Sequence, residues 1–381
     1  MIITLIVDSY ADKTNGTTMT TRRFAEVLIK HGHTVRVAAS RVDGDIPLEN
    51  SFELGIRKTP VLYQVAKSQG FIFAKKNKKI LKEAIVGSDV VHFLLPFSCQ
   101  RYGKKICDAN HIPSTAAFHL QPENITSTIR MNKIQPVNDY IYRRFKKFYN
   151  LFDHVHCPSN MIADQLRQHG YTSNLHVISN GVSEAFCKKE VTRPEKWKDR
   201  FLILMVGRYS VEKRQDLIIK AIQSSKYEHK IQLILAGKGP WKGYLEEISK
   251  TLTNPPVFDF YTEEELIEVI NFCDLYVHAS DAEIEAISCM EAFTCGLVPV
   301  ISDSKISATN QFALDELNLF RHGDADSLRE KIEYWMEHEE EKKARSLAYI
   351  DYAKQYSIDA CVCQLEKVFE QAIADERKNE K

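Results

Sequence analysis

Short apolar runs alternate with amphipathic stretches along most of this 381-residue chain. The first run lies in MIITLIVDSY and is rich in β-branched residues, so it reads as a buried strand. A turn-rich stretch follows, then a helical pattern around Phe24, Val27 and Leu28 that stops at His31-Gly32-His33, and Thr34-Val35-Arg36-Val37-Ala38-Ala39 reads as the next strand. The same grammar recurs with SDVVHFLL (88–95), a helix over about 99–110, STAAFHL (114–120), a helix around 136–150, HVHCPS (154–159), a helix over 160–169 and LHVISNGV (175–182). Strands that are apolar throughout and alternate with helices predict a parallel sheet covered on both faces.

Between 183 and 200 the pattern breaks into a polar stretch with Pro194 and no sustained apolar period, which reads as a linker. After it come FLILMVG (201–207), a helix over about 213–224, IQLILAG (231–237), PVFDF (256–260), EEELIEVINFC (263–273), LYVHAS (275–280) and LVPVISD (297–303), with charged helical sequence from about 324. The expected fold class is therefore α/β, with two Rossmann-like doubly wound domains at 1–182 and 201–355. Ligands of such folds bind at the C-terminal ends of the strands.

Composition narrows the chemistry. With 44% hydrophobic and 27% charged residues, collagen, coiled coil and wholesale disorder are excluded. There is no apolar run of about 18 residues and no basic segment before the first strand, so neither a spanning helix nor a leader is expected, and the expected location is cytoplasmic. The nine cysteines contain no CxxC, and the histidine pairs His31/His33 and His154/His156 fit strand or turn alternation, so no protein-held metal is expected. The formal charge is zero, yet residues 1–190 hold 26 Lys and Arg against 16 Asp and Glu, a net of +10, and the remainder a net of −10. The basic half points to an anionic partner.

No GxGxxG follows a first strand and no GxxxxGK[ST] appears, which argues against dehydrogenases and P-loop enzymes. After FLILMVG stand Arg208 and Lys213, two permanent cations able to clamp a diphosphate. Between LYVHAS and LVPVIS, the run from Ala282 to Val300 reads as a loop turning into a helix, with Gly296 at its C-terminal end. Amides at that helix start, at Ala286, Ile287 and Ser288, attract phosphate and hydroxyl oxygens, and Glu291 on the helix is suited to a ribose diol.

GRxxxxK followed by the acidic pair Glu283 and Glu291 and then EAxxxGLVPVIS resembles the retaining glycosyltransferases of family 4, which have the GT-B fold. The resemblance covers the C-terminal half. It implies that two Rossmann-like domains face a central cleft, that the second holds a nucleotide sugar, and that a last helix, here within 356–381, crosses back onto the first domain. It also implies roles: Arg208 and Lys213 on the donor diphosphate, Glu291 on the ribose, Glu283 near the transferred sugar, Gly16 in the loop after the first strand, and His119 on the donor sugar. Asn15, Thr17, Gln121, Glu123 and Asn124 become acceptor contacts beside His119, and the backbone of 259–262 would meet the base. The sequence departs from the family at Asn15-Gly16, where two glycines are common, and at Arg214, where a glycine usually follows the Lys.

The reaction implied is transfer of a hexose, with UDP-glucose as co-substrate and no other cofactor, to a hydroxyl. Phe71 to Ile80 and Tyr140 to Tyr149 interleave aromatic and basic residues, a pattern that on a helix suits an anionic membrane surface. The expected acceptor is therefore lipid or lipid-linked, met peripherally at the inner face of the membrane, and no nucleic acid is expected. The core stripe of an ordinary amphipathic helix explains the same pattern. A soluble glycan or protein acceptor, an epimerase on the same fold and a non-catalytic partner subunit remain open. Lys213→Ala is expected to lose transfer far more than folding.

Overall fold

A computed structural model describes residues 1–11, 16–43, 46–57, 72–127 and 134–379. The chain divides into two units, 1–122 with 135–180 and 358–381, and 123–134 with 181–357. The first holds a seven-stranded parallel sheet: β1 (Ile2–Ile6), β2 (Thr34–Ala39), β3 (Ser51–Glu53), β4 (Val90–Phe93), β5 (Ser114–Ala117), β6 (His154–Cys157) and β7 (Asn174–Val177). Their order across the sheet is β3-β2-β1-β4-β5-β6-β7. The second unit holds β8 (Phe201–Val206), β9 (Ile231–Ala236), β10 (Val257–Asp259), β11 (Leu275–His278), β12 (Pro299–Ser302) and β13 (Leu319–Phe320), in the order β10-β9-β8-β11-β12-β13. Two parallel-sheet Rossmann-like domains, the GT-B type, are thus present.

Burial follows the apolar runs. β9 is buried along its whole length, and so are β4 and β6, because helices cover both faces of each sheet. Helix starts are set by side-chain caps: the Thr262 hydroxyl accepts from Glu265 N and the Glu265 carboxylate accepts from Thr262 N at 2.8 Å, fixing the helix Glu263–Phe272. The helix Ile358–Asn379 belongs to the first unit, where Val362, Leu365 and Phe369 enter the core beside Leu5, Phe24 and Leu28. Among the described residues no helix is long and apolar enough to cross a membrane.

Three expectations need correction. The basic-aromatic segment 71–80 is not a helix over its length. Phe71 lies outside the described residues, and 72–77 is irregular because its backbone pairs elsewhere: Arg57 N donates to Phe73 O at 2.8 Å and Lys75 N to Gly55 O at 2.8 Å. Only Lys78–Ile85 is helical, capped by Asn77. The segment 140–149 does lie on a helix, Gln135–Tyr149, but Tyr142, Phe145, Phe148 and Tyr149 are buried, so its aromatic stripe is core. What it leaves in solvent is Tyr140, Arg143, Arg144 and Lys147. The third concerns 183–200, which is no free linker, since Phe186 and Trp197 are buried in the core of the second unit. Apolar residues too sparse to show a period still serve as two anchors.

The loops after β8 and β9 approach so closely that side chains are excluded. A Cβ on Gly237 would lie 2.0 Å from Gly207 O, and one on Gly239 would lie 2.3 Å from Tyr209 O. Tyr209 N donates to Lys238 O at 3.1 Å and Trp241 N to Tyr209 O at 3.1 Å, which locks the two loops together. Gly239→Ala is expected to destabilise the protein by about 2 kcal/mol in chemical denaturation. Gly243→Ala, in the helix Lys242–Ile248 with open space around it, should instead gain up to about 1 kcal/mol. Equal effects from the two would contradict this packing.

Candidate functional site

β8 and β11 are neighbours, yet the chain leaves β8 toward β9 and β11 toward β12. Such a reversal opens a crevice at the carboxyl ends of the two strands. β8 delivers 207–214 to that place, and β11 delivers 279–286. This is why residues about 70 positions apart meet.

Lys213 lays its stem against Gly207 and forms an ion pair with Glu283 Oε1. His278 Nε2 stands 3.2 Å from the same oxygen. A carboxylate only accepts, so Nε2 carries the hydrogen and Nδ1 is left to accept; the Tyr276 hydroxyl lies 3.2 Å from Nδ1 and 3.1 Å from Ser288 Oγ. Ser288 Oγ in turn donates to Val206 O at 3.3 Å. Burial alone would raise the Glu283 carboxyl, but the Lys213 charge and the His278 hydrogen bond overcome it and hold the group well below the usual carboxylate range. Burial lowers the His278 imidazole despite the Glu283 hydrogen bond, so it is neutral at pH 7.

The turn carrying Lys213 is fixed by its successor. Arg214 has φ 56°, in the left-handed region that favours glycine, at a cost of about 1–2 kcal/mol. It is held there by Asp216 Oδ1 at 3.2 Å and Asp281 Oδ1 at 3.1 Å, and Asp281 N donates to Glu212 O at 2.7 Å. His322 Nε2 meets Asp281 Oδ1 at 2.7 Å. Asp281 thereby ties the Lys213 turn to the Glu283 loop.

The other donor-side residues lie in the same unit. Arg208 is half-buried, its carbonyl accepting from Gln215 Nε2 at 2.8 Å, and burial lowers its guanidinium against the opposing charge of Glu212. Ala286 takes φ 63° as the residue before the helix Ile287–Thr294, a strained conformation for a residue with a Cβ. Ile287 is half-buried against the core, Glu291 is 7% exposed, and Gly296 has φ +81° just after the helix, where a Cβ would meet Ser346 Oγ at 2.7 Å. In the stretch 259–262, Asp259 O accepts from Gly237 N, Phe260 N donates to Asp259 Oδ1 and Thr262 N to Glu265, so three backbone groups expected for a base are already engaged. Phe260, 47% exposed, keeps Lys238 Nζ 4.1 Å from its ring centre.

The acceptor-side residues are less unified. Asn15 lies outside the described residues. Gly16 and Thr17 open the helix Gly16–Lys30. His119 sits beyond β5, which stops at Ala117 rather than running to residue 120, and is 7% exposed. Burial pushes its imidazole well below the usual range, aided by His156 and His92, and its Nε2 has no hydrogen-bond partner among the described residues. Gln121 Nε2 donates to Gln165 Oε1 at 3.1 Å. Gln121 falls in the first unit, whereas Glu123 and Asn124, on the helix Pro122–Ser127, fall in the second.

Sequence reasoning missed His278, Asp281 and Asp8. Asp8 follows β1, beside β4 at the reversal of the first sheet. It is fully buried, accepting from Ala74 N at 2.8 Å and Gln100 Nε2 at 2.6 Å. Burial outweighs those hydrogen bonds and raises its carboxyl to about 6. All three lie at the end of a buried strand or within three residues beyond it, which was the available signal.

Two family models match, one described as Glycosyltransferase Family 4 over residues 14–186 and one as Glycosyl transferases group 1 over residues 188–355. The chain belongs to this family of GT-B glycosyltransferases, which act on a nucleotide sugar. It is 24% identical over 318 residues to alpha-monoglucosyldiacylglycerol synthase of Streptococcus pneumoniae, spanning 79% of this chain and 71% of that protein. The crystal structure of Anabaena HepE in complex with UDP matches 97% of this chain and 100% of that one, with TM-score 0.74 and 18% identity, a likeness of fold. The catalytic domain of cholesterol-alpha-glucosyltransferase from Helicobacter pylori is 44% identical over 41% of this chain and 99% of that one, with TM-score 0.40.

Two outcomes follow from these environments. Lys213→Met takes the cation from the Glu283 carboxylate and should cost about 3 kcal/mol in urea unfolding. Lys213→Met with Glu283→Gln should recover most of that stability while transfer stays lost; a double variant as unstable as the single one would contradict the pairing. Asp8 works in the opposite sense. The folded state keeps a proton between pH about 4 and 6 that the unfolded chain has released, so stability falls as pH rises through that window, by on the order of 3 kcal/mol. Unfolding titrations should show Asp8→Asn gaining on the parent protein from pH 4 to 6, and a constant difference would contradict it.

Proposed function

We propose that this glycosyltransferase is a retaining enzyme that moves glucose from UDP-glucose to a hydroxyl of a lipid acceptor. The observation that carries the reading is the Lys213–Glu283–His278 cluster, with Arg208 beside it on the same loop, at the strand reversal of the second sheet. When the anomeric C–O bond breaks, the diphosphate gains negative charge, and cations and amides aimed at it lower the barrier. In this reading Arg208 and Lys213 meet the diphosphate, the amides of 286–288 add hydrogen bonds, and Glu291 takes the ribose. Lys213 has three N–H donors, so one stays on Glu283 while the others turn to phosphate.

Retention follows from attack on the face the leaving group departs from. The acceptor hydroxyl bonds to the anomeric carbon and its proton passes to the departing phosphate oxygen, so neither a nucleophilic carboxylate nor a covalent intermediate is used. Glu283 suits this role, since a carboxylate tied to Lys213 and His278 is a poor nucleophile. The neutral His119 Nε2, without a hydrogen-bond partner among the described residues, is suited to a sugar hydroxyl.

Support for a glucosyl lipid comes from the streptococcal relative, an alpha-monoglucosyldiacylglycerol synthase. The exposed Arg143, Arg144 and Lys147 fit an anionic surface at the inner face of a membrane, although Tyr142, Phe145, Phe148 and Tyr149 are core. The test is a transfer assay with radiolabelled UDP-glucose, UDP-galactose and UDP-N-acetylglucosamine against lipid acceptors in anionic and in neutral vesicles. Label should move from UDP-glucose into lipid with the α configuration kept, and more protein should sediment with the anionic vesicles. Product on soluble glycans alone would overturn the acceptor, equal sedimentation the surface, turnover without acceptor would make the protein an epimerase, and binding without product a partner subunit.

A further inference from the structure

We propose that His31 is a proton-dependent clasp that fastens the helix Ile358–Asn379 to the first unit, closed while the imidazole carries both ring protons and loosened once it loses one. His31 Nδ1 stands 2.8 Å from Glu366 Oε1, and Nε2 stands 3.1 Å from Asp359 Oδ1. A carboxylate oxygen only accepts, so both ring nitrogens donate and the imidazole is a cation. The helix Gly16–Lys30 ends just before it, and Gly32, with φ +85°, turns the chain so that His33 also reaches the terminal helix, its Nε2 2.9 Å from Glu366 Oε1. Asp359 and Glu366 are seven positions apart, close to two helical turns, so both carboxylates fall on the face that meets His31.

The other polar groups along this helix do not reproduce that proton dependence. Lys30 Nζ lies 3.7 Å from Asp359 Oδ1 and adds a second cation there. His33 Nδ1 lies 3.1 Å from the Met1 amino nitrogen, which donates to it, so His33 holds Glu366 as a neutral ring through its Nε2–H. The exposed Cys363 places its sulfur within 4.8 Å of both His31 and Asp359. Farther along, His154 Nε2 meets Asp375 Oδ2 at 3.2 Å and its Nδ1 meets His176 Nε2 at 3.0 Å, bonds that two neutral rings satisfy, while Lys378 Nζ holds Asp375 Oδ1 at 3.0 Å. His111 Nδ1 is 3.9 Å from Glu376 Oε1. Of the four histidines that meet this helix among the described residues, His31 is the one with a carboxylate at each nitrogen.

The Glu366 and Asp359 hydrogen bonds raise the His31 imidazole above its ordinary 6.5, against a smaller effect of desolvation. The folded chain therefore keeps a proton that the unfolded chain releases near that pH. Stability from the clasp is fully present below pH 6.5 and is lost as pH rises through the raised folded value. Val362, Leu365 and Phe369 stay in the core of the first unit, so the loss shows as more frequent local opening of the helix. The test is hydrogen exchange of the full chain, with residues 358–379 read at about pH 6 and about pH 8.5 and corrected for the intrinsic rate, beside a ¹³C-histidine NMR titration. His31 should titrate above 6.5, and Glu366→Gln should move its midpoint down. From the lower to the higher pH, protection of the helix should fall at least about threefold more in the parent than in His31→Gln. Asp8 acts alike on both chains, and Cys363→Ser should keep the parent's ratio, so the difference reads His31. A His31 midpoint at or below 6.5, equal ratios in the parent and His31→Gln, or a ratio lost in Cys363→Ser would overturn the clasp.

Discussion

A carboxylate as deeply placed as Glu283 stays ionised only with a cation against it, and Lys213 is that cation. The pair exists because the second sheet reverses its strand order between β8 and β11, so that two loops far apart in sequence leave adjacent strands at the same end. Much of the second unit's local geometry serves that meeting. Glycines at 237 and 239 let the β8 and β9 loops touch, Arg214 accepts a left-handed backbone, and Asp281 ties both loops through Arg214, His322 and Glu212. The short helix from Ile287 begins only after Ala286 has taken its own strained turn.

The two sheets have the same core order but opposite chemistry at their reversals. In the second unit the buried acid is ionised and paired with a lysine. In the first, Asp8 lies among Gln100, Ala74 and Cys99 without a cation in direct contact among the described residues, and its carboxyl rises to about 6. Three buried neutral histidines, His92 on β4, His156 on β6 and His119 just beyond β5, stand in the same unit, with ring centres 5.4 Å apart for His119 and His156. The second unit thus concentrates opposed charges at its strand ends, whereas the acid at the reversal of the first sheet is held by neutral groups.

Much of this was readable from residue order. Apolar runs with helical stretches between them gave both sheets, and Arg208, Lys213 and Glu283 could be placed in the loops after β8 and β11, with Glu291 on the helix that follows. Pairings were not. Lys213 with Glu283, and His31 with Asp359, depend on strand order and on the terminal helix returning to the first unit, which no local period encodes. Two single aromatics, Phe186 and Trp197, anchor a stretch whose polarity hid them. The segment 72–77 turned out irregular because the Phe73 carbonyl and the Lys75 N–H were claimed by Arg57 and Gly55, a competition invisible in a pattern of side chains. Aromatic residues on the helix Gln135–Tyr149 fitted core and membrane equally until burial decided for core.

The central claim is that the cations at the β8 end receive a nucleoside diphosphate. A crystal structure of the protein with UDP tests it most directly. The account predicts the diphosphate within about 3 Å of Lys213 Nζ and the Arg208 guanidinium, with the ribose hydroxyls on Glu291. Ordered UDP bound at a place that touches neither cation would contradict it.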